Sequence, residues 1–135
     1  MIQIIDIKKR FGEREILKGI TLDFEPGKIN LIIGASGSGK TTIAKCIVGL
    51  HKPDEGQILF DGVDFVKMAF DEKKEIRKQL GFLFQGSALF DSMTVEENVM
   101  FPLQMFSNYS ISEIKDRAHM YLEKVDLAHA TKLLP

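Results

Sequence analysis

The sequence predicts an α/β chain with a parallel core sheet and an N-terminal antiparallel β part. Three observations carry this. Ile29-Asn30-Leu31-Ile32-Ile33 is almost wholly apolar, as a strand covered on both faces must be. A glycine-rich loop and a stretch of helical apolar spacing follow it at once, which makes a strand–loop–helix unit. Ahead of it, Ile20-Thr21-Leu22-Asp23-Phe24 alternates strictly, the period of a half-buried strand.

The remaining elements follow in chain order. Ile2 to Ile7 reads as a first strand, with Lys8-Lys9-Arg10 a charged turn. Glu25-Pro26-Gly27-Lys28 is a turn, because proline presets its φ and glycine tolerates a positive one. Thr41 to Leu50 has helical spacing, with Ile43, Cys46, Ile47 and Leu50 on the apolar face. Gln57 to Phe60 is a short strand closed by a turn at Asp61-Gly62. Asp71 to Leu80 is a charged, exposed helix, and Gly81-Phe82-Leu83-Phe84 a further strand. Thr94-Val95-Glu96-Glu97 carries the capping-box pattern and starts a helix that Pro102 should limit. Ser112 to Val125 sets Ile114, Ala118, Tyr121, Leu122 and Val125 on one face of a last amphipathic helix.

The totals narrow the function. At 135 residues, 44% hydrophobic and 27% charged, the chain has the size and composition of one globular domain. Eighteen Lys and Arg against nineteen Asp and Glu leave no basic surplus for nucleic acid. No apolar run is long enough to span a bilayer, and the start is not a signal peptide, so the expectation is a cytoplasmic chain. The single cysteine, Cys46, excludes an internal disulfide and reads as a core residue.

The chemistry concentrates in Gly34-Ala35-Ser36-Gly37-Ser38-Gly39-Lys40-Thr41, which fits G-x-x-x-x-G-K-[ST] at every fixed position. Glycines let the backbone curl so that successive N–H groups form an anion nest. The following helix adds its positive dipole end. Lys40 would bring a full charge to the β- and γ-phosphates of a nucleoside triphosphate, and the Thr41 hydroxyl would ligate Mg2+. Residues Gly34 to Thr41, with Thr42 beside them, are therefore the candidate nucleotide-binding set.

A triphosphatase also needs an acid at the end of a buried strand. Two places mimic it, Asp61 after Ile58-Leu59-Phe60 and Asp91 after Ala88-Leu89-Phe90. The plainer readings are a hairpin turn for Asp61 and a loop cap for Asp91.

Taken in order, Phe11-Gly12, "ILKGITLDFEPGKINLIIGASGSGKTT", "IVGLHKPDEGQILFDGVD" and "LGFLFQGSALFDSMTVEENVMFPL" resemble the opening part of an ABC transporter ATP-binding subunit. The resemblance implies a P-loop NTPase of the ABC-ATPase kind with ATP and Mg2+ as cofactors. It implies that Phe11 stacks on adenine and that Gln85 is the Q-loop glutamine, reaching Mg2+ and sensing the γ-phosphate. Lys40 and Gln85 are thus the expected catalytic residues, and Thr41 and Gln85 the expected metal ligands. Gln85 to Thr94 is similar to the Mla-like lipid-transport subgroup.

The implied partners are a transmembrane permease subunit docking near the Q-loop and a second ATP-binding subunit in a homodimer. The implied location is the inner face of the cell membrane, through the permease. The signature segment, the acid-bearing strand and the switch histidine of the family are not found before Pro135, and His51, His119 and His129 read as loop or helix-surface residues. The chain is accordingly expected to be the N-terminal portion of one ATP-binding domain, binding ATP without turning it over alone. The competing reading is a self-contained P-loop kinase or nucleotide switch using Asp61 or Asp91 for Mg2+.

Overall fold

The computed structural model of the chain describes residues 1–84, 86 and 88–135. They form two compact units, Met1–Phe82 and Leu83–Pro135.

The first unit is built on a four-stranded antiparallel sheet. Strands β1 (Ile2–Phe11), β2 (Arg14–Phe24), β3 (Glu55–Phe60) and β4 (Val63–Asp64) lie in the order β2-β1-β3-β4. Pairing runs from Ile2↔Phe24 to Phe11↔Arg14, so β1 and β2 are a long hairpin closed by Gly12-Glu13. The turn expected at Lys8-Lys9-Arg10 is therefore strand. Two of its charges are paired, Lys8 with Glu55 at 2.6 Å and Lys9 with Asp54 at 2.8 Å, while the backbone N–H of Arg10 donates to Asp54 at 2.7 Å and its guanidinium stays largely exposed near Glu15.

Ile4 and Ile7 are both 1% exposed, although residues three apart on a regular strand face opposite sides. A bulge resolves this. The register shifts between Ile4 and Ile7, with Asp6 at φ 47 and its N–H on the Thr21 hydroxyl at 3.0 Å. Both isoleucines then join Leu17, Ile58, Phe60 and Phe65 in the core, where α1 (Lys40–Ile47) adds Ile43 and Cys46. Each such buried side chain contributes roughly 1.5–3 kcal/mol. Burial also pushes the Cys46 thiol up, which suits a core residue rather than a nucleophile.

Helix α1 stops at Ile47, short of Leu50. Gly49 takes φ 75, and Arg77 of α2 (Phe70–Lys78) donates to the Val48 and Gly49 carbonyls at 3.2 and 3.0 Å.

The expected parallel core is not present among the described residues. Ile29–Ile33 is not part of any strand, with Ile29, Leu31 and Ile33 100%, 78% and 84% exposed. Only Ile32 of this run packs on the core. A strand covered on both faces needs neighbours, and Ile29–Ile33 pairs with none of the four strands described. Gly81–Phe84 is likewise not a strand.

The second unit is a pair of helices, α3 (Val95–Phe106) and α4 (Ile111–Lys124), followed by a 3₁₀ turn at Ala128–Ala130. Thr94 and Ser110 each accept from the N–H three residues on, while Glu97 and Glu113 reach back, giving two capping boxes. Helix α3 runs through Pro102 to Phe106, forgoing the one backbone bond that proline cannot donate. The buried stripe of α4 is Ile114, Ala118 and Leu122, spaced by four. Tyr121 and Val125, expected on that face, are exposed because they fall to its side and at the C-cap. Asn98 folds the preceding loop onto α3, accepting from the Phe90 N–H at 2.8 Å and donating to the Phe90, Met93 and Thr94 carbonyls at 3.0 Å. No helix of the described residues is long and apolar enough to cross a membrane.

Candidate functional site

The candidate site lies in the first unit, where the run 34–39 curls into the N-terminus of α1. The Ser38 N–H bonds the Ala35 carbonyl at 3.2 Å, and Gly37 takes φ 74, so the loop doubles back. Gly39 caps α1 from the left-handed region at φ 96, with no side-chain cap. The first-turn N–H groups of α1 thus have neither intrahelical nor side-chain partners. A Cβ on Gly39 would lie 2.7 Å from Leu17 Cδ2 and 3.1 Å from Ile16 Cγ2, so only glycine lets β2 approach the loop this closely. A Cβ on Gly34 would meet the Ser38 hydroxyl at 2.8 Å.

Lys40 organises the cradle. Its Nζ donates to the Gly34 and Ala35 carbonyls at 2.8 and 2.7 Å, so the loop is wrapped around one ammonium. Two of its three protons are used, which leaves one for an anion. A cavity of about 150 Å³ opens here, lined by Ile16, Gly37, Gly39, Lys40, Thr41 and Thr42. A curled glycine loop, a cation and a helix N-terminus fit a phosphate chain. Thr41 is exposed at the start of α1, its hydroxyl open to solvent beside the cradle. That suits Mg2+, which keeps its waters and takes most remaining oxygens from substrate phosphates.

Phe11 ends β1, 45% exposed and paired with Arg14 across the hairpin. Arg14 precedes by two residues Ile16, which lines the cavity, a separation of roughly 7 Å along a strand. A ring and a phosphate cradle that share one hairpin can serve the two ends of one nucleotide. The register that links them was hidden in the sequence by reading Lys8-Lys9-Arg10 as a turn. Reading Gly12-Glu13 as a two-residue hairpin turn would have revealed it.

His51, read in the sequence as a loop or helix-surface residue, packs against Phe11. The His51 ring meets it edge-on, centroids 5.2 Å apart and planes at 73°. Asp61 sits instead in the Asp61-Gly62 hairpin turn at φ 47, its carboxylate on the N-terminal ammonium of Met1. Asp91 is exposed in the turn before α3, in the second unit. Gln85, the expected Q-loop residue, lies outside the described residues. His119, read as a surface residue, bonds the buried Glu96 at 2.6 Å.

A strand-packed glycine loop closed by a lysine and opening a helix defines a P-loop nucleotide-binding protein. The family model described as ABC transporter matches residues 17–135, and the chain belongs to that family. Domains of this family in general bind ATP with Mg2+ and hydrolyse it. Curated relatives include a methionine import ATP-binding protein of Rhizobium johnstonii, 40% identical over all of this chain and 37% of its own length. A probable ribonucleotide transport ATP-binding protein of Mycobacterium leprae is 37% identical over 99% of the chain and 39% of its own length. An intermembrane phospholipid transport ATP-binding protein of Haemophilus influenzae is 38% identical over the whole chain and 51% of its own. The ATP-binding cassette MJ0796, solved as a dimer in a post-hydrolysis state with ADP and Pi, matches with TM-score 0.88 at 31% identity. That match covers all of this chain and 62% of the MJ0796 chain. The chain therefore spans about two fifths to a half of these curated relatives.

Proposed function

We propose that the chain is the ATP-binding portion of a transporter ATPase subunit that couples ATP binding and hydrolysis to transport. The observation that carries this is the Lys40 ammonium holding the Gly34 and Ala35 carbonyls at 2.8 and 2.7 Å, with Thr41 next to it on α1. In this reading the amides of Gly34 to Thr42 bind the phosphates, Lys40 neutralises the β- and γ-phosphates, and Phe11 stacks on adenine. Thr41 supplies a hydroxyl to Mg2+, and Gln85 a second oxygen. Mg2+ when bound would neutralise charge developing between the β- and γ-phosphates.

Calorimetry of ATP binding tests the cradle. Lys40→Ala deletes a charge-assisted contact worth roughly 1.5–3 kcal/mol, so affinity should fall at least about tenfold. Unchanged affinity would overturn the reading.

The partners follow from exposed apolar groups of the second unit. Leu89, Phe90, Met105 and Phe106 lie 44–60% exposed, a surface suited to a permease's cytoplasmic helix at the inner face of the membrane. A second ATP-binding subunit is proposed by analogy with the dimeric MJ0796 structures. For the cargo we propose phospholipid, from the segment Gln85 to Thr94 and the 38% identical phospholipid-transport relative. Relatives named for methionine import and ribonucleotide transport are as similar, so the deciding measurement is which cargo stimulates ATPase activity of the protein with its permease. Stimulation by methionine or a ribonucleotide, and not by phospholipid vesicles, would refute the lipid assignment. The self-contained kinase has less support, because Asp61 is committed to a hairpin turn and the N-terminal ammonium. Phosphoryl transfer from ATP to a small acceptor would revive it.

A further inference from the structure

We infer that His51 is a positioning residue for the base end of the nucleotide site, acting through the ring of Phe11. This rests on the proposed stacking of Phe11 on adenine. Phe11 is the last residue of β1 and is followed by Gly12 at φ 58, so its ring stands at the hairpin end with the Lys9 ammonium as its hairpin neighbour. A phenyl ring has only two side-chain torsions, but a half-exposed one samples several rotamers, and ordering it opposes ligand stacking. The restraint comes from elsewhere in the chain. His51 packs against the ring at 5.2 Å and 73°, an edge-to-face geometry that aromatic quadrupoles favour.

His51 is itself held. Its N–H donates to the Lys45 carbonyl at 3.1 Å as α1 ends, and Pro53 stiffens the chain that follows. Asp54 then ties this segment to β1. Its N–H donates to the Lys8 carbonyl at 2.9 Å, and its carboxylate accepts from the Arg10 N–H at 2.7 Å and the Lys9 ammonium at 2.8 Å. The hydrogen bond from the Lys9 ammonium holds the Asp54 carboxyl below its usual range, so the tether stays charged. That ammonium also lies 5.4 Å from the Phe11 ring centroid. The ring is thus pinned by His51 and flanked by Lys9, and 45% of Phe11 stays open for a planar base. The helix that begins at the phosphate cradle ends beside the residue that sets the base platform. One rigid element therefore fixes the spacing of the two halves of the site.

The test compares ATP with inorganic tripolyphosphate, which has no base, by calorimetry on His51→Ala, His51→Phe, Phe11→Ala and the double variant. Aromatic contacts of this kind correspond to roughly two- to tenfold in affinity. We expect His51→Ala to lose that factor for ATP and nothing for tripolyphosphate, His51→Phe to restore it, and the double variant to bind as Phe11→Ala does. Unchanged tripolyphosphate binding also shows that each variant is folded. If Phe11→Ala weakens ATP binding while His51→Ala does not, or if the two losses simply add, the positioning role is overturned and base stacking stands. If Phe11→Ala leaves ATP affinity unchanged, base stacking itself falls, and this inference with it.

Discussion

Glu96 offers the sharpest test of how the second unit is held together. It is a carboxylate only 4% exposed, in the first turn of α3, and the sequence marks it merely as a residue inside a capping box. Its oxygens meet His119 of α4 at 2.6 Å and Lys132 at 2.5 Å, while the N–H groups of Val95 and Glu96 bond the Leu133 and Thr131 carbonyls at 2.9 and 3.1 Å. One acid therefore ties α3 to α4 and to the segment 131–133. Two charge-assisted bonds would give roughly 1.5–3 kcal/mol each if dry. Lys132 and His119 are 75% and 44% exposed at their side chains, so water screens both pairs. Discounting toward the surface value leaves about 1–2 kcal/mol for the pair of contacts. The Lys132 ammonium holds the Glu96 carboxyl below its usual range, with burial opposing and His119 assisting. Since the folded carboxyl titrates below the unfolded one, its contribution is complete above the unfolded value near 4.5 and fades as pH falls through the lower folded value. Glu96→Gln, followed by urea unfolding, should thus be about 1–2 kcal/mol less stable than the unmodified chain near neutral pH. The gap should close in acid. Equal stability at neutral pH, or a gap of the same size in acid, would refute the account.

Two further outcomes are expected. Gly39→Ala must place a Cβ at φ 96 and 2.7 Å from Leu17 Cδ2. Left-handed strain of about 1–2 kcal/mol plus overpacking of about 1–3 kcal/mol should lower the urea midpoint visibly and weaken ATP binding together; a variant of unchanged stability would mean β2 does not press on the loop. The 135-residue chain alone is expected to bind ATP without steady hydrolysis, because the cradle positions phosphate while Asp61, one of the two candidate acids, is held in a hairpin turn on the N-terminal ammonium. Hydrolysis that Asp61→Asn or Asp91→Asn abolishes would favour the self-contained enzyme instead.

What the sequence made legible was local. The loop Gly34 to Thr41 could be read because each position has its own stereochemical reason, and the two capping boxes because hydroxyl and carboxylate sit three apart. Gln85 could be named only by resemblance, and lies outside the described residues. Contacts over long separations left no such trace. Glu96 finds His119 and Lys132 across 23 and 36 residues, and neither pairing follows from any periodicity. Lys8-Lys9-Arg10 looked like a turn because three cations in a row suggest solvent, whereas their carboxylates wait at Asp54 and Glu55. The run Ile29–Ile33 has the composition of a strand between strands, but composition reports what could be covered, not what covers it.

The antiparallel sheet fixes how closely β2 approaches the glycine loop. β2 presents Leu17 to the core and Ile16 to the cavity on successive residues, and both touch the space where a Gly39 Cβ would be. The same hairpin carries Phe11 at its far end, in register through Arg14. A shift of one residue between β1 and β2 would turn Leu17 and Ile16 to opposite faces. It would also move Phe11 by roughly 3.3 Å relative to the loop. The bulge at Asp6 guards against this, because only that register buries both Ile4 and Ile7 and lets the Asp6 N–H reach Thr21. A hydrophobic constraint near the start of the strand thereby sets where Phe11 stands relative to a phosphate cradle thirty residues later in the chain. Replacing Thr21 by Val keeps the shape and removes the hydroxyl, so it should cost about 1 kcal/mol in stability. If register is what transmits the effect, ATP should weaken with it while tripolyphosphate, which does not reach Phe11, should bind as before.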